Sequence, residues 1–134
     1  MAKLRHIALV VRDLEKSAQF YEQAFGMTRV GRDDLAIGSG LYLSDGVVNL
    51  ALLQYTSAAA AGVESLDDLV GAHHFGFVVD NLDEAQQKVE AAGAKFFFDL
   101  GKSRDDVNFE RKYKDPDGIV FDLSEKGWLG NSGV

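Results

Sequence analysis

The sequence predicts an α+β fold of two tandem βαβββ modules that pair into an open, curved mixed sheet with helices outside. Three observations predict it. The first is an internal repeat. His6-Ile-Ala-Leu-Val-Val-Arg-Asp-Leu14 returns as His74-Phe-Gly-Phe-Val-Val-Asp-Asn-Leu82, 68 residues later and half the chain away. The second is a matching turn and strand near the end of each half, Asp45-Gly46-Val-Val and Asp117-Gly118-Ile-Val, in the same order. The third is the periodicity, which in both halves runs from strand to helix and back to strands.

Each element has a local reason. Residues 4–11 are aliphatic and β-branched and read as a buried strand. Asp13 suits an N-cap, and Leu14, Ala18, Tyr21 and Phe25 follow at helical spacing until Gly26 ends the helix. Residues 27–33 and 35–44 read as strands, Asp45-Gly46 as a hairpin turn, and 47–54 as a strongly apolar fourth strand. The second half repeats this with strand 73–80, a helix from about Asp83 to Ala92 ended by Gly93, and strands 94–99, 107–114 and 119–124. Asp115-Pro116-Asp117-Gly118 is a turn whose proline has the fixed φ its second position needs. Between the halves, residues 55–71 read as a linker with one short helix, and residues 100–106 as a polar loop over a site. Residues 125–134 form a glycine-rich tail whose apolar anchors are Trp128 and Leu129.

The 134 residues fit one domain, module 1 at about 4–54 and module 2 at about 72–124, and 46% hydrophobic content allows a real core. A net charge of −7 argues against a nucleic-acid partner. With no cysteine, a metal would be held by His, carboxylate or amide oxygen. No signal peptide and no membrane-length apolar run stands out, so the expected location is cytoplasmic and no membrane partner is expected.

Strand alternation puts His6, Ala8 and Val10 on one face and Ile7, Leu9 and Val11 on the other; likewise His74, Gly76 and Val78 oppose Phe75, Phe77 and Val79. The bulky sets should pack under the helices. The other face then carries a His beside a small residue in both halves, which predicts room for a ligand. A single strand histidine is most often structural. Two at equivalent repeat positions converge if the halves are related by a pseudo-twofold axis, and so point to a shared metal site.

Such a site needs an oxygen partner. Asp122 interrupts the apolar strand Ile119-Val-Phe-Asp-Leu123, where a carboxylate is costly unless paired or bound to a cation. Asn49 is the corresponding polar interruption of the fourth strand; it offers a neutral carbonyl oxygen, or else a hydrogen bond near the turn. His73 points to the opposite face from His74 and reads as structural. On strand 107–114 the polar side carries Glu110, a candidate base, and Lys112, a candidate anion contact.

Together these residues resemble the vicinal oxygen chelate (glyoxalase-like) superfamily. His6 with the strand after it and Phe20-Tyr21…Phe25-Gly26-Met27 resemble its first module; His74-Phe-Gly-Phe-Val-Val-Asp80 and Asp115-Pro-Asp-Gly118…Asp122-Leu123 resemble its second. The resemblance covers residues 4 to about 124 and implies metal ligands at His6, Asn49, His74 and Asp122. The superfamily's methylmalonyl-CoA epimerases are most similar, with His, Gln, His and Glu; here the amide and the carboxylate are each one methylene shorter. The implied cofactor is one divalent ion (Fe, Mn, Co, Ni or Zn), with Asn49 or water completing the shell. The implied activity is an isomerase or lyase acting on a small carbonyl or carboxylate substrate through enolate-like charge; the candidate catalytic groups are Glu110, from the phase of its own strand, and Asp122. An Fe(II) extradiol-type dioxygenase and a metal-free small-molecule binding or resistance protein are the alternatives. A homodimer is expected, with Trp128 either in its interface or folded back on its own chain.

Overall fold

The computed structural model describes residues 1–99 and 103–131. Among the described residues, eight strands and three helices follow in the order β1 (Lys3–Val10), α1 (Leu14–Phe25), β2 (Thr28–Leu35), β3 (Gly38–Ser44), β4 (Asn49–Tyr55), α2 (Ala58–Ala61), β5 (Gly71–Val78), α3 (Leu82–Ala91), β6 (Lys95–Asp99), β7 (Arg111–Lys114) and β8 (Val120–Ser124). This is the βαβββ order twice over, an α+β fold. The caps explain the helix limits. The Asp13 carboxylate accepts from the Lys16 N–H at 3.0 Å, and Gly26 closes α1 with a left-handed φ of 68°. In α3 the cap is Asn81, whose side chain accepts from the Glu84 N–H at 2.9 Å.

The chain divides into two units. Among the described residues, one comprises Met1–His6 with the segment from His74 to Trp128, the other Ile7–His73 with residues 129–131. In the first, the strand order is β5-β8-β7-β6. β5 runs parallel to β8 with Gly76 opposite Asp122, and β7 runs antiparallel to β8 with Lys112 opposite Asp122. Gly76, Asp122 and Lys112 therefore form one row across three strands. The opposite face is apolar: Phe75, Phe77, Phe109, Tyr113, Phe121 and Leu123 pack with Leu82 and Val89 of α3. In the second unit β2, β3 and β4 form an antiparallel meander, and the Val11 N–H donates to the Leu53 carbonyl at 3.0 Å. Leu9, Val11, Leu41, Leu43 and Leu52 pack there with Leu14, Ala18 and Tyr21 of α1. The bulky strand faces thus lie under the helices as their alternation predicts.

Two sequence expectations need correction. The strand predicted over 107–114 begins only at Arg111. Asn108 adopts φ 71°, a left-handed conformation that breaks extended backbone, and its N–H donates to the Gly127 carbonyl at 2.9 Å. Of the polar loop expected at 100–106, residues 100–102 lie outside the described residues; Ser103 and Asp106 close a turn through a 3.0 Å backbone bond. The second correction concerns the ligand space predicted beside Gly76. A Cβ placed there would lie 2.6 Å from Cη2 of Trp128 and 3.1 Å from Cβ of His6. The indole of the tail fills that space: Trp128 is buried, folded back within its own unit.

Candidate metal centre

Three side chains of the first unit meet at one point. His6 comes from β1, His74 from β5 and Asp122 from β8, and all are buried. The two Nε2 atoms are 3.3 Å apart; Asp122 Oδ2 lies 3.6 Å from His6 Nε2 and 3.3 Å from His74 Nε2. Ligand atoms of a tetrahedral ion with bonds of about 2.1 Å are separated by about 3.4 Å, so this triangle has the edge lengths of one coordination face. Two imidazole nitrogens and a carboxylate also form a donor set that suits borderline divalent ions. The residues fit an ion on both counts. No other group of three His or acidic residues among those described comes together in this way.

Around the triangle sit three further groups. The Lys112 ammonium donates to both Asp122 oxygens, at 2.9 and 3.1 Å, lies 3.1 Å from Glu110 Oε1, and is 3.5 Å from His74 Nε2. Trp128 Nε1 donates to Glu110 Oε2 at 2.7 Å, and its ring stacks on His6 with centroids 4.6 Å apart and planes 11° from parallel. Glu110, just before β7, and Lys112, within it, reach the site from alternate positions on one side, as their predicted phase requires, while Phe109 and Tyr113 enter the core.

Two buried carboxyls share one ammonium, and their proton affinities separate. Burial pushes Asp122 well above the usual carboxylate range, Glu110 adds to this, and Lys112 opposes it. Burial raises Glu110 too, but Lys112, His6 and the hydrogen bonds from Asp122 and Trp128 outweigh it and hold Glu110 at about 2. Glu110 is therefore a fixed anion and Asp122 the group on which the excess charge is felt. A divalent ion at the triangle would relieve that excess.

Asn49 belongs to the second unit. It is buried, and its amide nitrogen donates to the Leu129 carbonyl at 2.9 Å, which pins the tail. A ligand role would use its carbonyl oxygen. His73 is structural as expected: Nε2 lies 2.7 Å from the Ala61 carbonyl and Nδ1 is 3.4 Å from the Tyr55 hydroxyl. Trp128 is the site residue that the sequence did not reveal. The signal available was the small residue Gly76 facing a lone tail tryptophan.

A family sequence model described as the Glyoxalase/Bleomycin resistance protein/Dioxygenase superfamily matches residues 3–123. The chain belongs to that superfamily. Among curated relatives, this superfamily member is 28% identical to "Lactoylglutathione lyase GLX1" of Arabidopsis thaliana, over 91% of the chain and 44% of the relative. It is 27% identical to "Probable lactoylglutathione lyase, chloroplastic" of the same plant, over 93% of the chain and 36% of the relative. The chain thus spans less than half the length of these relatives. Among solved structures, a methylmalonyl-CoA epimerase variant of Streptomyces coelicolor in complex with 2-nitronate-propionyl-CoA matches with a TM-score of 0.73 at 17% identity, covering 98% of both chains. The Mycobacterium tuberculosis methylmalonyl-CoA epimerase matches with a TM-score of 0.67 at 17% identity, covering 90% of this chain and 85% of that one. These two likenesses establish the glyoxalase-like fold. No helix among the described residues is long and apolar enough to cross a membrane.

Proposed function

We propose that the chain is a metal-dependent isomerase or lyase acting on a small carbonyl or carboxylate substrate. The observation that carries this reading is the buried triangle of His6 Nε2, His74 Nε2 and Asp122 Oδ2, whose edges of 3.3–3.6 Å match a coordination face. The names of the relatives, a lyase and an epimerase, point the same way. A bound ion supplies Lewis-acid stabilisation of the negative charge that develops on a carbonyl oxygen when the neighbouring carbon loses a proton.

The protein's own residues do the rest. Burial of His6, His74 and Asp122 keeps bulk water from the charged centre and strengthens every electrostatic contact there. Trp128 fixes the plane of the His6 ring by stacking and orients Glu110 through its indole N–H. Glu110 is the candidate proton acceptor. Burial raises the Glu110 carboxyl, but the Lys112 ammonium and His6 hold it at about 2, so it stands as an anion.

The test is proton exchange. Metal-loaded protein in D2O, supplied with lactoylglutathione and with methylmalonyl-CoA, should place deuterium on the carbon next to the carbonyl of one of them by NMR, and His74→Ala should not. No exchange above that of His74→Ala with either compound, or with a panel of small 2-oxo and thioester acids, would sink the enzyme reading.

A second reading, a metal-free small-molecule binding protein, has one observation in its favour. Lys112 already neutralises Asp122 through two hydrogen bonds. It requires that purified protein take up no divalent ion.

A further inference from the structure

We propose that Lys112 is a displaceable resident cation, and that its ammonium and a divalent ion occupy the centre in turn. The inference rests on the metal site proposed above and adds what controls entry to it. The ammonium and the ion would share atoms. Lys112 Nζ is 3.1 Å from Asp122 Oδ2 and 3.5 Å from His74 Nε2, and these are two of the three donor atoms of the triangle. An ammonium has three N–H donors. Here they face Asp122 Oδ1, Asp122 Oδ2 and Glu110 Oε1, at 2.9, 3.1 and 3.1 Å. Lys112 is buried, so its charge is not screened by solvent.

The backbone dictates this placement. β7 and β8 run antiparallel with Lys112 and Asp122 in direct register, so the ammonium reaches the carboxylate from the adjacent strand. Glu110 lies two residues back on the same side. The result is an occupied cation site built from the chain itself. A dication brought to the same donors meets a like charge a few ångströms away, and at that distance repulsion outside bulk water is severe. The lysine stem is long and flexible, which makes departure of the ammonium the way to resolve the conflict.

Two measurements test this. In the first, wild-type protein is treated with an amine-acetylating reagent, with and without saturating zinc, and the Lys112 peptide is followed by mass spectrometry. We expect slow labelling without zinc and labelling on the order of tenfold faster with it, while exposed Lys16 is unchanged. In the second, zinc affinity is measured calorimetrically for wild type, Lys112→Met and His74→Ala. Lys112→Met should bind at least about tenfold more tightly, because the competing charge is gone, and His74→Ala should bind far more weakly. Zinc binding that depends on His74, with Lys112 still protected or with equal affinity in Lys112→Met, would overturn the displacement and leave the metal site standing. Binding that is absent, or indifferent to His74, would overturn both. If Lys112→Met does not fold, the labelling of wild-type protein decides alone.

Discussion

Substitution Gly76→Ala should destabilise this protein, and the sign itself is informative. In a strand with ordinary φ and free space alongside, replacing glycine by alanine stabilises by about 0.4–1 kcal/mol, because the unfolded chain loses freedom. Gly76 has no positive φ, so its backbone accepts alanine. The space does not. The new methyl would lie 2.6 Å from Trp128 Cη2 and 2.8 Å from Cζ2, against a normal carbon–carbon contact of about 3.5–4.0 Å. Relief needs the indole to move by about 1 Å. That ring is held by its 2.7 Å hydrogen bond to the Glu110 carboxylate and by stacking on His6, so a shift of this size largely breaks the bond. A hydrogen bond to a charged group contributes about 1.5–3 kcal/mol, and overpacking costs about 1–3 kcal/mol, so a net loss of about 1–3 kcal/mol is expected. Urea unfolding should show it as a midpoint lowered by about 1 M. Trp128 is the chain's single tryptophan, so its emission reports the displacement directly and should shift to the red. In a Trp128→Leu background the two clashing ring atoms are gone, and Gly76→Ala should then cost less than about 1 kcal/mol. A neutral or stabilising Gly76→Ala with unchanged emission would refute the placement of Trp128 over the site.

Three further outcomes are expected. Burial and the hydrogen bond to Glu90 push the Tyr113 hydroxyl from 10.0 to about 12. The folded state thus holds this proton more tightly than the unfolded chain, and stability should fall as pH rises from about 10 to about 12; Tyr113→Phe should flatten that decline in unfolding measured across the window, and an identical slope would remove Tyr113 from it. Asn49→Ala should cost about 1–3 kcal/mol in urea unfolding by leaving the Leu129 carbonyl without its donor. A parallel loss of zinc affinity is expected from its reading as an oxygen ligand, and unchanged affinity would confine Asn49 to holding the tail. Light scattering should find a homodimer, and since Trp128 is buried within its own unit, Trp128→Leu should leave that mass unaltered; a monomeric wild type would contradict the expectation.

Much of the fold was legible because duplication made each signal appear twice. Asp13 and Gly26 mark the limits of α1 by capping chemistry alone, and the alternation around His6 and His74 separates core face from site face. The strand before Asp115 was the exception: its alternation of polar and apolar residues continued through Asn108, and nothing local announced that this asparagine turns left-handed to meet Gly127. Of the candidate site, the meeting of His6, His74 and Asp122 was legible because a histidine repeated at equivalent positions and a carboxylate inside an apolar strand both point to one face. What Lys112 does there was not. Its outward phase on β7 suggested contact with an anion, but only the register with β8 shows that the anion is Asp122 itself. Trp128 was hidden for a similar reason. A tail residue has no periodicity to fix its direction, so the space beside Gly76 read as a cleft rather than as the seat of an indole.

If His6, His74 and Asp122 hold one divalent ion, metal content should depend on all three side chains. The measurement is elemental analysis after zinc loading and gel filtration, on wild type and on His6→Ala, His74→Ala and Asp122→Ala, each checked for folding by circular dichroism. About one zinc per chain is expected in wild type and a large loss in all three variants, since removing any one of these ligands leaves too few to retain the ion. Equal zinc content in wild type and the folded variants would contradict it.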